Sequence, residues 1–309
     1  MTAAEHELIL ELLALNRPRP DATIAQRREQ YDRAVVAFAG IVDAHPVGPS
    51  VPIGAARGEW SRQAGPQAPV LLYLHGGSYT MGSSASHRHL ARAIGAELGA
   101  SVLTLDYRRP PESPFPAAVD DAVAAYQMLT DGGVLPERIA VAGDSAGAGL
   151  ALALLQRLRA DAQPMPAAVA CLSPWTDLSC VAPSHNTHAV RDPVLRTDDL
   201  RAMGALYLAG AAAAEPLASP AFADLAGLPP MLVQVGTEEI LLDDARRLLQ
   251  RARVDGVPIE YQEWAGMFHV WPYYFPLLSE GRDAIRAIGR FVSEAFTALR
   301  QPASVPGAG

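Results

Sequence analysis

Apolar positions fall into two textures along the chain. At the start they recur at helical spacing: Leu8, Ile9, Leu12, Leu13 and Leu15 share one face, with glutamates mostly opposite. After the break at Pro18 and Pro20, Thr23 and Gln26 stand at capping-box spacing and open a second helix that runs to about residue 39. From residue 46 short apolar runs take over, separated by turn residues and helix-like stretches. They predict strands over residues 57–62, 70–74, 101–106, 138–142, 168–173, 231–236 and 259–264, with a weaker candidate at 47–53. Helical spacing occupies 87–98, 117–131, 146–160, 243–255 and 281–299. Continuous apolar strands alternating with helices predict an α/β fold, with a mostly parallel eight-stranded sheet covered on both faces.

The stretch 175–220 breaks this rhythm. It holds one clear helix near residues 198–208, and its length suits an inserted cap. The tail 301–309 is expected to be disordered. The longest apolar runs, 146–155 and 205–214, fall well short of the roughly 20 residues that span a bilayer. The N-terminus lacks the basic start and unbroken apolar run of a signal peptide, so a cytoplasmic protein is expected.

Composition narrows the chemistry. Half of the 309 residues are hydrophobic, enough for a sizeable core, and the net charge of −8 argues against binding nucleic acid or a membrane through a basic face. The chain contains no lysine, which removes Schiff-base catalysis and a P-loop of the GxxxxGK[ST] kind. Its two cysteines, Cys171 and Cys180, are too few for a disulfide scaffold or a four-cysteine zinc site and read as free thiols in a reducing compartment.

Two motifs end predicted strands. Gly143-Asp144-Ser145-Ala146-Gly147 lies between a strand and a helix, the context of a nucleophile elbow. The turn is so sharp that the serine is strained, and flanking glycines let neighbouring chain approach. His75-Gly76-Gly77-Ser78 follows the strand at 70–74, where a glycine-rich loop can offer backbone N–H groups to an oxyanion.

Ser145 needs a base and a carboxylate. His269 follows the last strand and precedes the last helix, and is the candidate base; His75 reads as holding the oxyanion loop. The pairs His87 with His89 and His185 with His188 have metal-like spacing but no further ligands nearby, and read as solvated surface or helix-face residues. In chain order Ser…acid…His, the acid belongs in Thr237-Glu238-Glu239-Ile240-Leu241-Leu242-Asp243-Asp244. Asp243 is placed to cap the following helix. Composition does not choose between Glu238 and Glu239, and Asp177 is a lesser alternative.

Together these residues resemble the hormone-sensitive-lipase-like branch (bacterial family IV) of α/β-hydrolase esterases. The resemblance rests on His75-Gly76-Gly77, Asp106-Tyr107-Arg108 with Pro111-Glu112, Phe115-Pro116-Ala117-Ala118, Gly143-Asp144-Ser145-Ala146-Gly147, and Gly266-x-x-His269, and covers nearly the whole chain. Around Trp175-Thr176-Asp177-Leu178 and residues 266–271 it is nearest to small esterases that include monoterpene ε-lactone hydrolases. It implies an α/β-hydrolase core at 46–174 and 221–300, and a cap made of the N-terminal helices (1–45) and the insertion 175–220.

Two departures stand out. Ser78 replaces the branch's usual third glycine, which leaves backbone donation intact. The branch's acid motif, D-x-L-x-D, begins here at Glu239, followed by Leu241 and Asp243, so Glu239 becomes the preferred acid.

The implied activity is hydrolysis of short- to medium-chain acyl esters through an acyl-serine, with Ser145, His269 and Glu239 as triad and no metal or organic cofactor. The backbone N–H groups of Gly77, Ser78 and Ala146 are expected to face the oxyanion, with Gly76 shaping the loop. Asp144 and Glu112 are expected to brace the site or form a plain salt bridge. Tyr79, Met81, Tyr207, Phe222, Phe268 and Trp271 are candidates both for the substrate pocket and for the core.

Lactone or amide hydrolysis would use the same triad. A non-catalytic binding module on this fold, as in plant gibberellin receptors, lacks the histidine that stands here as His269. Aspartate at the elbow would mark an epoxide hydrolase or dehalogenase. Finally, the strand at 259–264 is expected at the sheet edge, with Tyr261 and Trp264 giving it apolar surface for a homodimer contact.

Overall fold

Strands that are apolar on both sides need a layer on each face, and the arrangement follows from that. The structure is a computed structural model that describes residues 3–15, 22–39 and 47–299. Two helices, α1 (Ala3–Leu15) and α2 (Ile24–Ala39), precede the antiparallel pair β1 (Ser50–Ile53) and β2 (Ala56–Arg62). Then come β3 (Val70–Leu74), α3 (Ser84–Glu97), β4 (Ser101–Asp106), α4 (Ala117–Asp131), β5 (Ile139–Asp144), α5 (Ala146–Ala160) and β6 (Ala168–Leu172). The insertion carries α6 (Ser184–Thr187) and α7 (Thr197–Leu208), and the chain closes with β7 (Met231–Gly236), α8 (Leu242–Val254), β8 (Ile259–Trp264) and α9 (Ser279–Ala298).

The eight strands are ordered β1-β2-β4-β3-β5-β6-β7-β8. β2 is antiparallel to both neighbours, and every pairing from β4 to β8 is parallel. Alternate residues feed the two faces. Leu72, Leu74, Leu103, Leu105, Val141 and Val169 join the core shared with α4, α5 and α8. Leu71, Tyr73, Val102, Ala140 and Ala170 join the core under α3 and α9, where Ile285, Ile288, Val292 and Phe296 form one helical stripe.

The expected elements recur with small shifts. β5 runs on through Asp144, directly up to Ser145. α3 starts at Ser84, three residues early, because Ser83 and Ser86 form a reciprocal capping box. The anticipated box at α2 is present: the Thr23 N–H donates to Gln26 Oε1 (2.9 Å) and the Gln26 N–H to Thr23 Oγ1 (3.3 Å). In α1 the buried face centres on Ile9, with Leu13 partly buried, while Leu8 turns outward. The break at Pro18 and Pro20, the side chain of Leu15 and the tail 301–309 lie outside the described residues.

The loops after β3, β5, β6, β7 and β8 leave the carboxyl edge of the parallel sheet side by side. That edge is where open α/β sheets place their sites. It carries His75, Ser145, Ser173, Glu239 and His269.

Candidate active site

Ser145 links β5 to α5 with φ 53° and ψ −120°, a conformation that L residues avoid and that neighbouring structure must enforce. The enforcement is visible. Its N–H donates to the Leu172 carbonyl (2.8 Å), and its carbonyl accepts from the Trp175 N–H (3.1 Å). A side chain at position 147 is sterically impossible, since its Cβ would lie 2.0 Å from the Leu74 carbonyl oxygen.

On the facing side, Glu239 Oε2 lies 2.8 Å from His269 Nδ1. The other oxygen, Oε1, accepts from the Gly236 N–H (2.6 Å) and the Ser173 hydroxyl (2.7 Å). Ser173 Oγ in turn accepts from the Val270 N–H (3.0 Å), so one hydroxyl ties the carboxylate to the histidine loop. Sequence reasoning missed Ser173; its only local signal is a hydroxyl at the end of an apolar strand. Burial disfavours the His269 cation, but the hydrogen bond and charge of Glu239, with the charges of Asp192 and Asp144, prevail and raise its pKa above the ordinary 6.5.

The competing carboxylates are occupied elsewhere. Glu238 forms a two-pronged ion pair with Arg191 (2.7 and 2.6 Å). Asp243 sits within the first turn of α8, where it accepts from the Ser184 N–H (2.9 Å) and pairs with Arg246. Asp177 pairs with Arg247 at 2.7 Å. Asp192, from the insertion, accepts from the Ile240 N–H at 2.9 Å and so fixes the residue after Glu239. No local pattern announced Asp192, because its partner lies 48 residues away.

The loop after β3 is tied to the elbow. Asp144 Oδ1 accepts from the Gly76 N–H (3.0 Å) and the Tyr73 hydroxyl (2.7 Å). A Cβ on residue 76 would stand 2.2 Å from Asp144 Oδ2. His75 stacks on Tyr107 (4.2 Å between ring centres), whose hydroxyl donates to the His75 carbonyl (2.9 Å). Burial first, then His87 and Arg109, lower the His75 pKa well below its usual value, so the ring is neutral. Among the described residues, the N–H groups of Gly77, Ser78 and Ala146 have no acceptor within the protein.

Three of the four histidines read as solvated surface or helix-face residues are buried, His87 and His89 of them on α3. His87 lies 3.4 Å from Asp144 Oδ2, and His89 Nε2 is 2.9 Å from the Tyr273 carbonyl. His185 stands 3.8 Å from Asp244. Burial and Asp177 push that carboxyl up to about 8, while burial and Arg201 push His185 down to about 4. His188 lies beside the Thr187 hydroxyl (2.8 Å), the partly exposed member of the set.

The candidate pocket residues separate into groups. Tyr79 and Tyr207 stack face to face at 3.8 Å and 6°, with Trp175 tilted against Tyr79 at 6.0 Å. Met81 is half-buried at the end of the same loop. Phe268 and Trp271 are buried with Ile9 of α1 in a separate cluster behind His269. Phe222 stands apart, 44% exposed, beneath the Arg247 guanidinium.

The α/β-hydrolase fold family model matches residues 71–273. An acetyl-hydrolase from Streptomyces hygroscopicus is 53% identical over 96% of this chain and 98% of its own. A solved esterase from the bacterial hormone-sensitive lipase family superposes with a TM-score of 0.89 at 40% identity, over 96% of this chain and 99% of that one. EstE5, solved after soaking with p-nitrophenyl butyrate, gives 0.88 at 38% identity, over 96% and 100%. The chain belongs to the α/β-hydrolase family. Within it, the chain falls in the hormone-sensitive-lipase-like branch of serine ester hydrolases.

Proposed function

We propose that the protein is a carboxylesterase for short- to medium-chain acyl esters, working through Ser145, His269 and Glu239. The observation that carries this is the 2.8 Å His269–Glu239 pair on the same sheet edge as the strained Ser145 turn. Ser145 Oγ attacks the ester carbonyl while His269 Nε2 takes its proton, and Glu239 fixes the tautomer and stabilises the imidazolium. The oxyanion faces the unpaired N–H groups of Gly77, Ser78 and Ala146, whereas the Gly76 N–H is committed to Asp144. Collapse expels the alcohol, which takes the proton from His269. Water then attacks the acyl-serine along the reverse path and frees the acid. No step calls on a metal or organic cofactor.

The helices α1 and α2 and the insertion 175–220 act as a cap in this reading. The Tyr79–Tyr207 stack, with Trp175 bonded to the elbow carbonyl, walls the acyl side and favours short chains. A cytoplasmic setting suits the free, buried thiols of Cys171 and Cys180, each pushed by burial up to about 12. Among the described residues, no helix is long and apolar enough to cross a membrane. The open edge of β8 pairs with a second copy of the chain to form a homodimer.

The test is a p-nitrophenyl ester series from acetate to palmitate on wild type and Ser145→Ala. Turnover concentrated on short chains, with a roughly 10⁴–10⁶-fold loss in Ser145→Ala, is expected. No ester turnover by wild type, or an active Ser145→Ala, would overturn the reading.

A further inference from the structure

The loop that carries the Gly77 and Ser78 N–H groups is strained at the residues that matter. Gly77, Ser78 and Tyr79 have φ of 111°, 52° and 60°, and two of the three are not glycine. A non-glycine residue in the left-handed region is unfavourable, so two in succession persist only where their surroundings over-determine them. Inside the loop, the Gly77 carbonyl accepts from the Thr80 and Met81 N–H groups (3.0 and 2.8 Å). From outside, Asp144 holds Gly76 and Arg109 donates to the Gly82 carbonyl.

A further holder comes from elsewhere in the chain. Arg28 of α2, 52 residues away, donates from Nε to the Thr80 carbonyl at 2.8 Å. Its fork is fixed by a bond to the Pro110 carbonyl (2.6 Å) and a two-pronged pair with Glu112 (2.9 Å each). A planar guanidinium that commits four of its five donors in this way sets direction as well as distance. α2 makes a second contact just past the loop, where the Ser83 hydroxyl donates to Asp32 (2.8 Å).

We propose that Arg28 is a positioning residue for the reaction. Its guanidinium, braced by Glu112, holds the Thr80 carbonyl and with it the left-handed run that presents the Gly77 and Ser78 N–H groups to the oxyanion. α2 is therefore part of the oxyanion machinery and more than a roof over it. The pair is a poor stability device, since the Glu112 side chain is 63% exposed and such pairs add little. Its effect belongs in the rate. This inference rests on the ester-hydrolase reading.

The experiment measures kcat and KM for p-nitrophenyl acetate on the full chain, with the inhibition constant of a phenylboronic acid. Its tetrahedral adduct on Ser145 places an oxygen where the oxyanion forms. Arg28→Gln is expected to lower kcat about tenfold to hundredfold, less than or equal to the loss of one donor outright. KM should stay within about twofold, and boronate affinity should fall in step with kcat. Arg28→Lys should be intermediate. Adding Ser78→Gly to Arg28→Gln should recover part of the rate, because glycine reaches the left-handed region unaided.

Unchanged kcat and boronate affinity in folded Arg28→Gln, a change in KM alone, or no recovery in the double variant would overturn the proposal. If Arg28→Gln does not fold, Glu112→Gln decides: a smaller fall in kcat supports the clamp, and an unchanged kcat refutes it. No ester turnover by wild type would instead defeat the hydrolase reading itself.

Discussion

His269 sits between opposed influences, and their balance has a measurable sign. Burial works against its cation, and Glu239, Asp192 and Asp144 work for it, leaving the pKa raised. In the folded protein the charged pair therefore contributes stability that is fully present below the ordinary pKa of 6.5 and is lost as pH rises through the folded value. Activity runs the other way, because a general base must be neutral. The acid limb of kcat/KM in wild type is thus expected at a pH above 6.5. In Glu239→Gln the limb should move to lower pH as the plateau falls by up to roughly 10⁴-fold. A limb that does not move would contradict the assignment of Glu239. At this scale the proposed nucleophile and base are legible in the sequence, because each lies in a short motif at a strand end. The resemblance already favours Glu239 over Glu238, and the end of β6 supplies the physical reason. Ser173 and the Gly236 N–H occupy one carboxylate oxygen and leave the other for His269, whereas Glu238 turns to Arg191.

Among the elements, strands buried on both faces are legible as apolar runs, and β3, β4 and β7 have the expected bounds, as does the only partly buried β8. The start of α3 was less legible because a Ser83–Ser86 box carries no apolar signal. β8 differs from the other parallel strands in composition as well as position. Among the described residues it pairs only with β7, and its Glu260 and Glu263 are taken up by Arg290 and Arg246. Tyr261 and Trp264, expected to offer apolar surface, are half-buried against their own chain. What stays open is the backbone edge, a template for another strand. Sedimentation at micromolar concentration is expected to show a dimer, and a monomer would remove the β8 contact from the account.

Across the whole molecule, remote segments hold the working loops. Arg28 and Asp32 of α2 grip the loop after β3, and Ser184, Arg191 and Asp192 of the insertion grip the loop after β7. None of these contacts has a local signature, since each joins residues that only the closed fold brings together. The sequence pattern could place two segments outside the α/β rhythm, yet not say what they grip. The same remoteness explains why the candidate pocket residues separated: Tyr79 and Tyr207 meet across 128 positions of chain, while Phe268 and Trp271 serve the contact with α1.

In the proposed reaction Ser145 Oγ is the acylated atom, and a phosphorylating ester can trap it. With diethyl p-nitrophenyl phosphate, the Ser145 Oγ–P bond forms and the P–O bond to p-nitrophenol breaks, the serine proton passing through His269 to the leaving phenolate. Intact-mass and peptide mass measurement should find one diethylphosphoryl group per chain, on Ser145, and none on Ser145→Ala. An unmodified wild type, or a group carried on another residue, would contradict the account.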